Sequence, residues 1–208
     1  MRTALLLLLA LAPPALLGCE ENLDPATPDG AAHLLRDAVN GGDVSAMLTY
    51  STQATRDHLA TLHTLLKEQR LAIAERYPEE HRAAARGAYP EGALDAADGP
   101  ALFKAMVLPE LEKLEHGRGL AFGMTSLGAP SVTEDRATVS TQSGETIEFA
   151  LEDGKWKTTA FEGPLEQNVT RVRRNQQTLE ENLKVFEEMK RRAEAKAKAL
   201  AEAEAAEQ

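Results

Sequence analysis

The sequence predicts an α+β domain, with N-terminal helices packed on a curled antiparallel four-stranded meander and a long C-terminal helix after the sheet. Three patterns predict this architecture. Apolar residues recur at helical spacing before about Gly117, they alternate with polar residues from there to about residue 162, and a heptad-like repeat begins at Leu165. With 208 residues, the chain has room for little more than one domain.

The charge balance and the cysteine count exclude several classes of protein. Acidic side chains outnumber basic ones by 33 to 23, which gives a net charge of -10. Nucleic-acid binding needs a basic face that neutralises several phosphates at once, so we expect no nucleic-acid partner. A single cysteine rules out an intramolecular disulfide, and the chain is therefore not one of the small disulfide-stapled folds.

The N-terminal residues predict where the protein is located. One arginine precedes an apolar run over residues 4–12, and Pro13 and Pro14 end any helix that this run forms. A helix over these nine residues spans about 13 Å, less than half of a hydrocarbon core of roughly 30 Å. Residues 1–18 are therefore expected to be a signal peptide rather than a transmembrane helix.

The segment after the apolar run, Leu16-Leu17-Gly18-Cys19, resembles the lipobox of bacterial lipoproteins. The resemblance implies cleavage between Gly18 and Cys19 and acylation of Cys19, so that the membrane is a partner through the acyl chains. It also implies that Glu20 directs the protein to the outer membrane, with the domain in the periplasm. The alternative is an ordinary secretory signal that a cysteine happens to follow. Residues 19–29 contain two prolines and no apolar period, and are expected to be a tether.

Five helices are expected between the tether and the sheet. The first covers residues 30–40 with Asp29 as its N-cap, and the second runs from its N-cap Asp43 to Tyr50. The third covers residues 52–77, a short fourth begins near His81 before a loop, and the fifth covers residues 100–116. The core residues expected from the third helix are Thr55, Leu59, Leu62, Leu66, Ile73 and Tyr77, and those from the fifth are Leu102, Phe103, Met106, Leu111 and Leu114.

Four strands are expected, at residues 120–132, 137–141, 145–152 and 155–161. A two-residue type I′ turn at Asp153-Gly154 places the apolar residues of the last hairpin on one face. The pairs are Leu151 with Trp156, Phe149 with Thr158, and Ile147 with Ala160. For the preceding hairpin a three-residue loop, Gln142-Ser143-Gly144, is preferred to a two-residue turn. It pairs Val139 with Ile147 and Ala137 with Phe149, whereas the shorter turn would oppose Val139 to Glu148.

Three short motifs resemble the extracytoplasmic lipoproteins of the NTF2-like (cystatin-like) superfamily. They are Gly42-Asp43 after the first helix, Ala137-Thr138-Val139, and Glu152-Asp153-Gly154-Lys155-Trp156-Lys157. The resemblance covers residues 30–162. It implies a cone-shaped domain with a pocket between sheet and helices, in a superfamily that contains enzymes, binding modules and many members without known activity.

No arrangement of residues in the sequence predicts catalysis or metal binding. His58 and His63 are five residues apart, which turns them about 140° from each other on a helix, unlike the i, i+4 pair of a metal site. Two pairs share a helix face and are expected to be exposed: His33 with Asp37, and Glu112 with His116. The strand positions expected to face inward and to join the core carry no ionisable side chain, and they are Val139, Ile147, Phe149, Leu151, Trp156 and Ala160. Nucleophile and phosphate-loop motifs are missing. We therefore predict no catalytic residue, metal or cofactor.

The C-terminal residues 163–208 predict one long helix that begins at Gly163-Pro164. Its apolar residues alternate between spacings of four and three, as in a coiled-coil seam. The seam consists of Leu165, Val169, Val172, Gln176, Leu179, Leu183 and Phe186. Beyond Lys190 the helix is rich in Ala, Glu and Lys, and its end from Glu202 is expected to fray. The seam packs either on its own domain, where Gln176 would point to the rim, or on a second copy or another envelope protein.

Two functions from different classes fit these observations. The first is a lipid-anchored cell-envelope protein that acts as a non-enzymatic binding or scaffolding module. The alternative is a small-molecule carrier, or an isomerase- or dehydratase-type enzyme, that uses the cone pocket; buried Asp, Glu, His or Tyr side chains in that pocket would favour it. Arg171, Arg173 and Arg174 are expected to lie on a solvated helix face, with contact to an anionic polymer or headgroup as the alternative.

Overall fold

A computed structural model describes residues 23–115, 126–142 and 144–206 of the chain. The helices of this part are α1 (Pro28–Asn40), α2 (Val44–Thr49), α3 (Gln53–Arg76), α4 (Glu79–Arg86), α5 (Gly99–Glu115) and α6 (Glu162–Ala206). The strands β1 (Ser131–Thr133), β2 (Arg136–Ser140), β3 (Thr146–Glu152) and β4 (Lys155–Thr158) form one antiparallel sheet in chain order. The predicted α+β architecture is confirmed. The predicted signal peptide and lipobox lie outside the described residues.

The core lies between the sheet and the helices. Helix α1 packs against β2 and β4, and α3 packs against both α5 and α6. The buried apolar side chains of these elements form one cluster. Within it, Phe103 of α5 and Phe161, which precedes α6, meet edge to face with their ring centroids 5.1 Å apart. The beginning of α6 is therefore part of the core.

Helix α1 begins earlier than predicted. Its N-cap is Thr27, whose hydroxyl accepts a hydrogen bond from the Gly30 amide at 3.1 Å. The predicted Asp29 cap is wrong, because Pro28 already occupies the first helical position, where the missing N–H of proline is no loss. Asp29 instead lies in the first turn, where the helix dipole favours an acidic side chain.

The next two helices begin where the sequence predicts. The Asp43 carboxylate caps α2 by accepting a hydrogen bond from the Ala46 amide at 2.9 Å. Thr52 caps α3, and all six predicted stripe residues of that helix are buried. A seventh buried residue on the same stripe, Gln69, is polar and was not predicted.

Helices α4 and α5 agree with the prediction within two residues at their starts. The short helix after Pro78 begins at Glu79, and the loop that follows it leads to Gly99. On α5 the predicted core residues Leu102, Phe103 and Met106 are buried. The side chains of Leu111 and Leu114, also predicted for the core, lie outside the described part of the chain.

The β3–β4 hairpin has the predicted turn and most of the predicted register. Asp153 and Gly154 have φ angles of 50° and 73°, as a type I′ turn requires. Leu151 opposes Trp156, and Phe149 opposes Thr158. The predicted pairing of Ile147 with Ala160 is wrong, because β4 ends at Thr158.

Leu151 and Trp156 face the same side of the sheet but differ in burial. Trp156 is 6% exposed, as predicted, whereas Leu151 is 41% exposed. The Trp156 amide donates a hydrogen bond to the Pro25 carbonyl at 2.8 Å, so the end of the tether lies beside this part of β4. The placement of Leu151 in the core was wrong, because the covering layer ends before it reaches that residue.

The β2–β3 hairpin has the predicted three-residue loop. Val139 opposes Ile147, and Ala137 opposes Phe149. The Thr141 amide donates to the Glu145 carbonyl at 2.8 Å and closes the loop, and Gly144 has the positive φ of 84° that such a loop needs. Of the strand predicted at residues 120–132, the structure contains β1 at its C-terminal end, and residues 120–125 lie outside the described part.

The long helix begins at Glu162, one residue before the predicted start, so that Pro164 is its third residue rather than its first. The Thr52 hydroxyl donates a hydrogen bond to the Glu162 carboxylate. Since Thr52 is also the N-cap of α3, this contact joins the beginnings of α3 and α6.

Candidate interaction surface on the C-terminal helix

Helix α6 has two halves in different environments. Its 45 residues extend about 67 Å. In the first half Leu165, Val169, Val172, Leu179 and Leu183 are buried. From residue 187 to residue 206 every residue is exposed. The first half therefore belongs to the domain, and the second half projects from it.

The predicted seam packs on the chain's own domain over most of its length. Its buried members face α3, which is the main neighbour of α6. Gln176 is half-buried and lines a small cavity with Gln69 and Arg76, so it lies at the rim, as an intramolecular seam predicts. Phe186, the last seam residue, is half-buried where the helix leaves the domain.

Side-chain hydrogen bonds tie α6 to the helices beneath it. The Gln69 amide donates to the Val172 carbonyl at 2.7 Å, and the Tyr89 hydroxyl donates to the Gln69 side-chain oxygen at 2.5 Å. The Tyr77 hydroxyl donates to the Leu179 carbonyl at 3.3 Å. Burial, with a smaller effect of Tyr77, raises the pKa of Tyr89 to about 12, which keeps the Tyr89 hydroxyl a neutral donor.

A groove of about 330 Å³ separates α4 from this part of α6. Small residues form its α4 side, namely Ala84 and Ala85, with Ala88 just after the helix, and Leu179 contributes from α6. The stacked rings of His81 and Phe186, with centroids 4.7 Å apart, stand at one end. The lining contains no Asp, Glu, Lys or Arg, although 27% of the chain is charged. The groove is therefore an uncharged, mostly apolar depression beside the helix.

Helix α6 exposes three large apolar side chains after its last buried residue, Leu183, and two of them lie on the projecting half. Val185 is 53% exposed, Met189 61% and Leu200 56%. Single exposed apolar residues are common on protein surfaces, but these three lie on one helix. They are candidates for contact with a partner.

Charge alternates in blocks along the same part of α6. Residues 180–188, here called the acidic stretch, contain four glutamates and one lysine, a net charge of -3. Residues 190–198, the basic stretch, contain five basic residues and one glutamate, a net charge of +4 in a chain whose total is -10. Arg192 pairs with Glu188 within the helix, and Arg76 of α3 lies 3.8 Å from Glu187. The three arginines of the earlier turns, Arg171, Arg173 and Arg174, are exposed as predicted.

The described histidines do not form a cluster with other possible metal ligands. The predicted pair of His33 with Asp37 is wrong. The His33 imidazole lies 3.8 Å from the Asp29 carboxylate, and the Asp37 carboxylate instead pairs with the Arg36 guanidinium at 2.8 Å. The His63 ring lies 3.1 Å from the Ala96 carbonyl. The predicted Glu112–His116 pair lies outside the described side chains. The described residues contain no group of three or more His, Cys, Asp or Glu side chains placed to hold a metal ion.

The inner face of the sheet is filled with apolar side chains. Ala137, Val139, Ile147, Phe149 and Trp156 are between 0% and 6% exposed. None of them is ionisable, and all pack in the single core cluster. Their packing leaves the groove beside α6 and the projecting helix as the surfaces of most interest for binding.

Two features of the contacts between α6 and its neighbours were missed from the sequence. Gln69 lies on the α3 stripe, between Leu66 and Ile73, at the spacing expected of a buried residue. It was left out of the predicted core because its side chain is polar. The groove residues Asn175, Thr178 and Asn182 are spaced as one helix face, but that face is polar and gives no apolar signal.

Comparison with known proteins gives no match to a family model, to a curated protein or to a solved structure. Among the described residues, no helix is both long and apolar enough to cross a membrane. The predicted cleavage and lipidation residues, Gly18 and Cys19, lie in the part of the chain that the structure does not describe.

Proposed function

We propose that the chain is a lipid-anchored protein of the cell envelope, in the periplasm at the outer membrane, and that it is a non-enzymatic binding or scaffolding module. The observation that carries the proposal is the projecting half of α6. In proteins, most of the stability of a helix comes from packing one of its faces against other groups rather than from the helix propensity of its residues. Exposed apolar residues on such a helix, Met189 and Leu200 in particular, are consistent with a surface that is covered by a partner.

The position of the tether supports a role as a spacer. The Pro25 carbonyl is held by the Trp156 amide, and Trp156 lies shortly before α6 begins. The projecting half begins at residue 187, about 37 Å along the helix from Glu162. An N-terminal lipid anchor and the free end of α6 would thus lie at opposite ends of the helix.

The packing of the sheet supports binding rather than catalysis. Enzymes of the superfamily that the sequence resembles use polar groups in the pocket between sheet and helices, whereas here the inward strand residues are apolar and buried. The groove between α4 and α6 keeps small-molecule binding as a second candidate, because its volume is at the lower end of the range of ligand pockets.

Site-specific photo-cross-linking in intact cells tests the proposal. A photoreactive residue at Met189 should give discrete adducts. The matched control is Val132, which is 51% exposed on the edge of the sheet and should give none. If Met189 and Val132 gave the same adducts, or if Met189 gave none, the projecting helix would not be a contact surface.

A further inference from the structure

One face of α6 carries both the groove and the exposed apolar residues. Asn175, Thr178 and Asn182 line the groove, and Met189 and Leu200 follow on the projecting half. These residues are separated by three, four, seven and eleven positions, which keeps them on one side of a helix, about a quarter turn from the buried seam. This face, here called the outer stripe, is not covered by α3.

The order of the charged blocks restricts what covers the outer stripe. The acidic stretch and the basic stretch lie on either side of Met189 and have about the same length. A second copy in parallel, in-register alignment would bring like charges together. An antiparallel copy brings each acidic stretch against a basic stretch, and such charge patterns are known to select the orientation of paired helices.

We propose that two copies of this chain pair through the outer stripes of their α6 helices, antiparallel, with Met189 on the two-fold axis. The proposal rests on the proposed function, in which the projecting half of α6 is a contact surface, and it names the partner as a second copy. A two-fold interface is isologous, so each contact occurs twice.

The groove receives an apolar side chain in this arrangement. Leu200 lies eleven residues after Met189, and Thr178 lies eleven residues before it. The two-fold axis therefore places Leu200 of one copy opposite Thr178 of the other, at the groove that Ala84 and Ala85 leave open. Leu200 is 56% exposed in the single chain and would be covered there.

The two domains do not compete for the same space. Each domain covers the seam of its own α6 up to Leu183, and the second helix would approach a quarter turn away. The second copy's domain would lie beside the projecting half of the first helix, opposite residues 192–206, and not beside the first domain. Alanines such as Ala193 and Ala197, on or next to the outer stripe, allow the two helices to approach closely.

Cysteine cross-linking of the full chain tests the pairing. Cys19 is the single cysteine, so Cys19→Ser gives a background in which one new thiol reports its own neighbours. Met189→Cys should form disulfide-linked dimers at least about tenfold faster than Ala193→Cys, because paired thiols have an effective concentration far above that of the free protein. Ala193→Cys should form a mixed disulfide with Val185→Cys, which lies opposite it. Added salt should weaken all of these cross-links.

Equal rates at Met189→Cys and Ala193→Cys would overturn the antiparallel pairing, and so would the absence of dimer at Met189→Cys. All three positions are exposed, so thermal unfolding should be unchanged and serves as the control for folding. If disulfide dimers failed to form while photo-cross-links from Met189 captured another envelope protein, this inference would be wrong and the proposed function would stand. If the photo-cross-links failed too, both would be wrong.

Discussion

The hydrogen bonds of Gln69 give the most specific prediction about stability. Gln69 is 2% exposed, its amide donates to the Val172 carbonyl, and its side-chain oxygen accepts from Tyr89. The substitution Gln69→Leu nearly keeps the volume of the side chain, so that it removes hydrogen bonds without opening a large cavity.

The magnitude follows from the contacts that are lost. Each buried hydrogen bond contributes about 1 kcal/mol net, and Gln69 makes two. The Val172 carbonyl keeps its bond within the helix, and half-buried Tyr89 regains water, which limits the penalty for groups left without a partner. We therefore expect Gln69→Leu to cost about 1–2 kcal/mol and Tyr89→Phe about 1 kcal/mol. The double variant should cost about 1 kcal/mol less than their sum, because both single variants remove the same bond.

Urea unfolding followed by the fluorescence of Trp156 measures these differences. Gln177→Leu, on the exposed face of α6, is the matched control and should change the free energy of unfolding by less than about 0.5 kcal/mol. Additive costs within about 0.3 kcal/mol, or a more stable Gln69→Leu protein, would refute the coupling between α3, Tyr89 and α6.

Three further predictions concern the core, the anchor and the pH dependence. Trp156→Ala should lower the free energy of unfolding by about 3–5 kcal/mol, and an emission maximum typical of exposed tryptophan would contradict the burial of Trp156. Cys19→Ser should abolish acylation and processing, and leave an uncleaved precursor or a soluble form; membrane association at wild-type size would argue against a lipoprotein. Because the pKa of Tyr89 rises from 10.0 unfolded to about 12 folded, its stabilising effect should be complete below pH 10 and lost as the pH approaches 12. Tyr89→Phe should remove this loss of stability at high pH. An absorbance titration of Tyr89 centred near pH 10 would contradict the raised pKa.

The turns and the helix stripes were predictable because they depend on local rules. Gly144 and the Asp153-Gly154 turn set the register of two hairpins, since a positive φ is needed at those positions and few residues tolerate it. The cap at Asp43 was predictable because a capping side chain bonds to an amide only three residues away, here that of Ala46. Features of this kind depend only on residues that are neighbours in the sequence, so they can be predicted from it.

What covers a surface depends on distant residues and could not be predicted in the same way. The alternation of β3 assigns Leu151 to the inner face, but only the tertiary arrangement shows that the covering layer ends before it. The heptad spacing of α6 indicates a buried seam without saying whether α3 or another chain buries it. The groove beside α6 depends on the approach of α4, which is more than 80 residues away in the chain.

The central claim is that α6 completes the domain with its first half and projects with its second. Deleting residues 164–208 removes Leu165, Val169, Val172, Leu179 and Leu183 from the core, at about 1.5–3 kcal/mol each. The sum, about 8–15 kcal/mol, equals the whole stability of a typical domain.

Thermal unfolding of two truncated chains tests the claim most directly. Deletion of residues 164–208 should leave no cooperative transition. Among the described residues, deletion of residues 187–208 removes exposed ones and the surface pair of Arg76 with Glu187, which is worth at most about 1 kcal/mol. The transition should therefore stay within a few degrees of that of the full chain. A folded domain after the longer deletion, or an unfolded one after the shorter, would contradict the division of α6 into a core half and a projecting half.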